Sequence, residues 1–305
     1  MEISKILRCI GIDCSCNKTG LEFDSLGLAG YNKGDRVCTF IENEKYIKEL
    51  TPNISVVLTK QSIAENMEKR GTDFGICIVE NPRITYFLMH NYLSEAEAYA
   101  GARYDSHIGK NCKISENAVV SPNNVNIGDN VLIEDFVVIK ENTTIGDNSI
   151  IRAGCKIGGE GFEFKADGSA VFGVKHVGGV VIGRNVEIQY NSCIDKAIYP
   201  WDDTIIDDFT KVDNLVHIGH AVKIGKRSMV VANSGIGGRV TIGDDAWIGF
   251  GATIRNGIAI GNKARVNMGA VVTKDMKDFE SVSGNFAIPH EVFIKELKEQ
   301  TRRGA

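Results

Sequence analysis

From Ile182 onward a branched aliphatic residue returns every six positions: Ile182, Ile188, Ile194, then Ile206, Val212, Ile218, Ile224, Val230, Ile236, Ile242, Ile248, Ile254, Ile260, Val266 and Val272. Only Pro200 breaks the series. Four residues after most of these stands a small or β-branched residue, as at Val186, Ser192, Val216, Ser228, Ser234, Ala246, Ala252 and Ala264. The residue directly after the aliphatic is often Gly, Asp or Asn, as at Gly183, Asp207, Asp213, Gly219, Gly237 and Asn267. A period of six is neither helical nor a strand alternation. It is the hexapeptide repeat of a parallel β-helix, in which each hexad is one short strand and a turn. The aliphatic points inward and stacks on its copy one coil away, and the small residue fills the taper beside it. Gly, Asn and Asp suit the left-handed backbone that a corner needs. Three hexads close a triangular coil of about 18 residues.

The same period begins earlier, at Ile108, Ile114 and Val120, slips by one residue, and runs on through Ile127, Ile133, Ile139, Ile145, Ile151 and Ile157. It then stops for GGEGFEFKADGSAVFGVKHVGGVV, a stretch too long to be a simple turn, whose Phe162, Phe164 and Phe172 read as packing residues. The second interruption, AIYPWDD at 197–203, keeps the register of sixes on both sides and reads as one reshaped hexad, with Trp201 over a groove or an edge. Before residue 105 no six-residue period exists. Apolar runs at Val37 to Ile41, Ile54 to Leu58 and Phe74 to Val79 read as strands, and helical spacing runs from Ser62 to Lys69 and from Ile84 to about Ala100. The expected organisation is a small α/β domain over 1–105, a β-helix over 106–277 carrying an excursion at 158–181, and a closing loop and short helix over 278–305. An open β-helix end needs such a cover for its unpaired strand edges. Lys295, Lys298, Arg302 and Arg303 give that helix a basic end suited to an acidic partner.

Composition narrows the function classes. The 305 residues are 43% hydrophobic and 24% charged, with a formal net charge of -4. That charge argues against nucleic-acid binding by bulk electrostatics. No apolar run reaches the length of a membrane span. The start, MEISKILRCIGIDCSC, lacks the pattern of a secretory leader, so a cytoplasmic location is expected. The eight cysteines are scattered, Cys14-x-Cys16 is not a zinc spacing and no Cys-x-x-Cys exists, so they read as reduced thiols and no metal site is assigned.

The candidate chemistry centres on Asp213-Asn214-Leu215-Val216-His217-Ile218-Gly219-His220. With Ile218 pointing inward, His217 and His220 flank a corner and can both face outward. Two histidines are too few for a zinc site. An imidazole, with an intrinsic pKa of about 6.5, can instead serve as a general base at neutral pH.

These residues bring the chain to a resemblance. It resembles, over nearly its whole length, the UDP-3-O-acylglucosamine N-acyltransferases of lipid A synthesis, within the hexapeptide acyltransferase superfamily. Phe40-Ile41-Glu42-Asn43-Glu44-Lys45-Tyr46 is similar to that family's Phe-x-x-Asn-x-x-Tyr nucleotide element; GEGFEF (159–164), HVGGVVIG (176–183), VEIQYNSCID, KVDNLVHIGHAVKIG and GNFAIPHEVFIKEL (284–297) are similar to further blocks. The resemblance implies a left-handed coil, against the usual right-handed crossover rule. It implies a homotrimer with active sites between subunits. It puts His220 at the general base and Gly238 at the backbone donor to the oxyanion, with Asp213, Asn214 and His217 in support and Asp213 or another acceptor fixing the ring's tautomer. Phe40, Asn43 and Tyr46 would hold the uracil ring, by aromatic stacking and an amide on the base edge. The implied reaction moves an acyl or 3-hydroxyacyl group from a thioester, on acyl carrier protein or coenzyme A, to the amine of a nucleotide-linked amino sugar. No permanently bound cofactor is expected; the thioester is a co-substrate.

The chain departs from the family in places. Ile254-Arg255-Asn256-Gly257 has Gly257 where the family carries a second histidine, and VNMGAVVTKDM looks more like coenzyme-A-dependent sugar acetyltransferases. A short-chain N-acyltransferase acting on a UDP- or dTDP-amino-deoxysugar, for surface polysaccharide or glycan synthesis, is therefore the alternative. A non-catalytic β-helix used for binding or assembly is a second. A γ-type carbonic anhydrase would need three zinc histidines, and a nucleotidyltransferase a Gly-rich N-terminal loop.

Overall fold

A computed structural model describes residues 1–303 apart from 33, 35, 70–72, 169 and 285–286. Two residues of the exit block 284–297 and the side chains of Arg302 and Arg303 therefore lie outside the described residues. The chain forms two compact units. One comprises Met1–Asp105, Glu160–Gly179 and Lys196–Asp203; the other comprises Ser106–Gly159, Val180–Asp195 and Thr204–Ala305. Both interruptions of the repeat thus group with the N-terminal residues, whereas their place inside the repeat had suggested the coil.

The first unit is built on a five-stranded sheet in the order Ser15–Cys16, Gly75–Ile78, Ile54–Thr59, Val37–Ile41, Ser25–Leu26. Its strands pair in parallel except for Ser15–Cys16. Parallel strands covered on both faces read as unbroken apolar runs. Accordingly, Val37, Ile41, Ile54, Val57 and Ile76 pack with the helix Gln61–Lys69 on one side. Cys38, Val56, Leu58 and Cys77 pack with the helix Pro82–Leu93 on the other. That helix ends at Leu93, and only a short second turn, Glu97–Ala100, follows. The cysteines differ from the reading as thiols throughout: Cys16 and Cys77, cross-strand partners, are joined by a disulfide.

The excursion is held by the end of the helix Pro82–Leu93. Its hairpin pairs Phe164–Ala166 with Val171–Gly173. Asn91 Nδ2 donates to Gly173 O at 2.8 Å, and Lys175 N donates to Asn91 Oδ1 at 2.9 Å. His90 Nε2 donates to Lys175 O at 2.8 Å, which leaves Nδ1 to accept from the Tyr99 hydroxyl at 2.9 Å. Of the three phenylalanines expected to pack, Phe172 rests against the unit's core, while Phe162 is 90% exposed and touches Phe164. Trp201 stacks between Tyr31 and Tyr199, and its Nε1 donates to Leu26 O at 2.7 Å, covering the edge strand.

His90 yields a pH prediction. Burial pulls its pKa down to about 4 from 6.5. The folded state prefers the neutral ring, so this contribution is complete above about pH 6.5 and is lost as pH falls towards 4. The linkage amounts to about 3 kcal/mol. Thermal melts of the wild type are expected to fall over that window more steeply than those of His90→Gln; parallel curves would refute the assignment.

The second unit is a three-sided parallel β-helix, with sheets of nine, eight and eight strands among the described residues. Register follows the repeat: Val212 pairs with Val230, Ile218 with Ile236 and Ile224 with Ile242, each 18 residues on. From Ile127 onward the inward aliphatics form one continuous buried column, while Ile108 at the start of the repeat is 48% exposed. Every departure from six falls at the same corner, where the chain leaves the face of Val119–Val120, Lys156–Gly159 and Cys193–Asp195. The segment around Pro200 is therefore an insertion and not a reshaped hexad. Ile194 and Ile206 lie on successive faces, pairing with Ile218 and Ile224.

The corners also correct one expectation. The left-handed backbone sits three residues after the aliphatic, at Asn185, Asn191, Leu215, Ala221, Arg227 and Arg239 among others. The small residue directly after the aliphatic answers to crowding instead: a methyl on Gly237 would lie 2.6 Å from the amide nitrogen of Asn256 in the next coil. The closing helix forms over His290–Arg303. Among the described residues no helix is long and apolar enough to cross a membrane.

Candidate active site

The strand His217–Ile218 places Ile218 in the buried column, so the next side chain along, His217, points outward and is 56% exposed. Gly219 continues to His220, which is half-buried at the corner, and Ala221 turns the chain with φ of 58°. One coil further on, Gly238 packs directly on the His220 ring. A methyl carbon built on Gly238 would meet Nε2 at 2.5 Å and Cε1 at 2.8 Å. Only a residue without a side chain allows this approach. At the corner after Ile224 and Ile242 the corresponding amides are claimed by the side chain of the next coil: Lys226 N donates to Asp244 Oδ1 at 2.9 Å, and Asp244 N to Asn262 Oδ1 at 2.9 Å. Among the described residues no group accepts from the Gly238 N–H. An imidazole and an uncommitted amide donor therefore stand together on a rigid corner.

The carboxylate facing these histidines is one that the sequence reading did not name. Asp195 follows Ile194, the partner of Ile218, and is 9% exposed. Its Oδ2 lies 3.8 Å from His217 Nε2. Burial pushes its carboxyl above the ordinary range, while the charges of His217 and His220 pull it back. Thr204 ties this strand to the corner: its hydroxyl donates to Asp195 O at 2.6 Å and accepts from Ala221 N at 2.8 Å. Asp213, by contrast, spends its oxygens on the backbone, accepting from Asn214 N at 2.7 Å and Ala232 N at 3.1 Å. Asn214 Oδ1 likewise accepts from Tyr190 N at 3.1 Å. The pair expected to support the histidines builds the corner.

An opposite charge near an imidazolium is typically worth about 1.4 kcal/mol or more. If His220 takes a proton in the reaction, Asp195→Asn should therefore lower kcat about tenfold with KM little changed. Steady-state kinetics check this, and an unaltered kcat would remove Asp195 from the site.

The nucleotide-element residues lie in the first unit. Phe40 is half-buried, with its ring 4.9 Å from that of Tyr86 and 6.2 Å from that of Phe87. Asn43 caps the 3-10 turn Glu44–Glu49, its Oδ1 accepting from Lys45 N at 3.0 Å. Tyr46 is 42% exposed, with Lys45 Nζ 4.7 Å over its ring. Gly257 has φ of 72°, and nothing stands within 4 Å of where its side chain would be.

Comparison with known proteins gives concordant results. Residues 124–159 match the bacterial transferase hexapeptide (six repeats) model, and residues 239–274 match the hexapeptide repeat of succinyl-transferase. UDP-3-O-acylglucosamine N-acyltransferase 2 of Legionella pneumophila (strain Philadelphia 1) is 48% identical over 149 residues, 49% of this chain and 43% of that protein. UDP-3-O-acylglucosamine N-acyltransferase of Rickettsia akari is 50% identical over 90 residues, 30% of this chain and 25% of that protein. The chain thus spans less than half the length of these curated relatives. The solved UDP-N-acetylglucosamine acyltransferase of Campylobacter jejuni matches 59% of this chain and 68% of its own, at 25% identity and a TM-score of 0.53. The coil is a left-handed β-helix of that structural class.

Proposed function

We propose that this hexapeptide-repeat chain is an N-acyltransferase that moves an acyl or 3-hydroxyacyl group from a thioester to the amine of a nucleotide-linked amino sugar, with UDP-3-O-acylglucosamine the leading acceptor. The observation that carries the reading is the contact of Gly238 with the His220 ring beside an uncommitted amide. An amine that attacks a thioester carbonyl forms a C–N bond and must lose a proton. Neutral His220 takes that proton as the tetrahedral intermediate forms. The negative charge on the former carbonyl oxygen is met by the Gly238 N–H, a donor already in place. Asp195 stabilises the imidazolium. Collapse breaks the C–S bond, and His220 returns its proton to the leaving thiolate. The reaction then needs no covalent enzyme intermediate.

Phe40, Asn43 and Tyr46 serve the base of the nucleotide in this reading, with the exposed Tyr46 ring as the stacking surface. A homotrimer working in the cytoplasm, where acyl-carrier-protein and coenzyme A thioesters are made, completes it. Gly257 and the match to the succinyl-transferase repeat favour a second reading, a shorter acyl chain carried on coenzyme A and an amino-deoxysugar acceptor. A panel of acyl-carrier-protein and coenzyme A thioesters against UDP- and dTDP-amino sugars tests both, with thiol release and product mass as readouts. Turnover of a long 3-hydroxyacyl carrier-protein donor supports the first, and turnover of a short coenzyme A donor alone supports the second. No thiol release with any pair would leave a binding or assembly protein.

A further inference from the structure

The first unit gathers three sulfurs that the acyl-transfer reading leaves unused. The edge strand Ser15–Cys16 runs antiparallel to Gly75–Ile78, with Ser15 opposite Ile78 and Cys16 opposite Cys77. Cross-strand partners present their side chains on one face, and the residue two before Cys16 returns to that face. The Sγ atoms of Cys14, Cys16 and Cys77 accordingly all lie within 4.8 Å of one another. The strand is pinned at this register by Asn17, whose N donates to Ile76 O at 3.0 Å and whose Oδ1 accepts from Ile76 N at 2.8 Å. The cluster is graded in depth: Cys77 is buried, Cys16 half-buried and Cys14 exposed. Cys14 also lines a cleft of about 440 Å³ together with Asp13, Ser15, Lys60 and Glu80.

A cross-link needs two cysteines, and the Cys16–Cys77 disulfide accounts for two. The third thiol beside them fits a different use. We propose that Cys14, Cys16 and Cys77, when reduced, form a three-thiolate site for one soft metal ion of the Zn²⁺ class, which the Cys16–Cys77 disulfide closes. Three sulfurs at this separation suit a four-coordinate ion, whose fourth position faces the cleft and takes water. Spacing in the sequence conceals the site, because its third ligand comes from a strand 61 residues after Cys16.

The two states interconvert by thiol–disulfide exchange with a low-molecular-weight disulfide. Cys16 and Cys77 give up two electrons and form their S–S bond. The external disulfide accepts the electrons and, with two protons, leaves as two thiols. The metal departs as a divalent ion, and Cys14 takes a third proton.

The test uses the full chain, reduced anaerobically with a phosphine and titrated with Co²⁺. The expected result is thiolate-to-cobalt charge-transfer absorption that saturates at one ion per chain and is displaced by Zn²⁺. Loss of even an outer-shell group typically costs about tenfold in affinity, so Cys14→Ser should weaken binding by more than that. Cys9→Ser, an exposed thiol outside the cluster, should leave it unchanged. Zn²⁺ should raise the melting temperature of the reduced wild type and not of Cys14→Ser, whose exposed position spares the fold. Oxidised glutathione should release the metal with the loss of two protein thiols. Absence of charge-transfer absorption, or equal affinity in Cys14→Ser, overturns the proposal and leaves Cys16–Cys77 as a structural cross-link. Because every readout is metal binding or stability, acyl transfer can succeed or fail independently.

Discussion

His220→Ala is expected to lower kcat by about 10² to 10⁴, the usual worth of a positioned general base, while leaving KM for the nucleotide sugar within a few-fold. The ring sits half-buried at a corner, outside the buried aliphatic column, so its removal leaves the coil's core intact. His217→Ala provides the contrast. His217 is 56% exposed and meets the buried Asp195 at 3.8 Å, and with its own ring largely in water the pair is screened to about 1 kcal/mol, a factor of about five. Steady-state kinetics with the donor and acceptor found in the substrate panel, alongside thermal melts, separate the two. A loss of less than about tenfold in His220→Ala, or equal losses in both variants, would show that the proton goes elsewhere.

What the amino-acid sequence shows of the fold and the site depends on the range of each signal. The period of six exposes the faces of the coil because an inward side chain must recur at the same angle on every turn. It therefore places Ile218, and with it the outward His217 and the corner His220, without any knowledge of neighbours. Gly238 is legible for the same reason, lying one full coil after His220. Asp195 was not. In an uninterrupted coil the residue beneath His217 would be 18 positions earlier, at Tyr199; the inserted segment moves the true partner to Cys193, 24 positions earlier. The register of sixes hid this, because the insertion is itself a multiple of six. Asp213 attracted attention by its nearness in sequence, yet its geometry is that of a corner, two acceptors for two backbone amides. In the first unit, parallel strands announced themselves as apolar runs, but nothing local could say that Cys77 would lie opposite Cys16. Pairing of distant strands is decided by sheet order, which single-chain periodicity does not carry. Asn43, which the resemblance puts on the base edge, has a simple occupation for its carbonyl oxygen, the cap of a 3-10 turn.

Gly238→Ala provides the stricter test of the site. The backbone at this position is not left-handed, so alanine is conformationally allowed and the cost is steric. Its methyl would stand 2.5 Å from His220 Nε2, closer than any real contact of that kind, and the flexible partner is the imidazole. The ring must swing away while the Gly238 N–H stays where it is. Displacement of a reacting group by about 1 Å can cost about 10²-fold in rate, so kcat should fall by about that factor with only a small change in melting temperature. Groups that act as a unit are strongly non-additive. On the His220→Ala background the ring is gone, the methyl has nothing to displace, and Gly238→Ala should then be silent within about threefold. Multiplied losses in the double variant would mean that position 238 acts on the reaction by a route other than the ring. A single variant with wild-type kcat would mean that the proton-accepting atom is not Nε2 of His220.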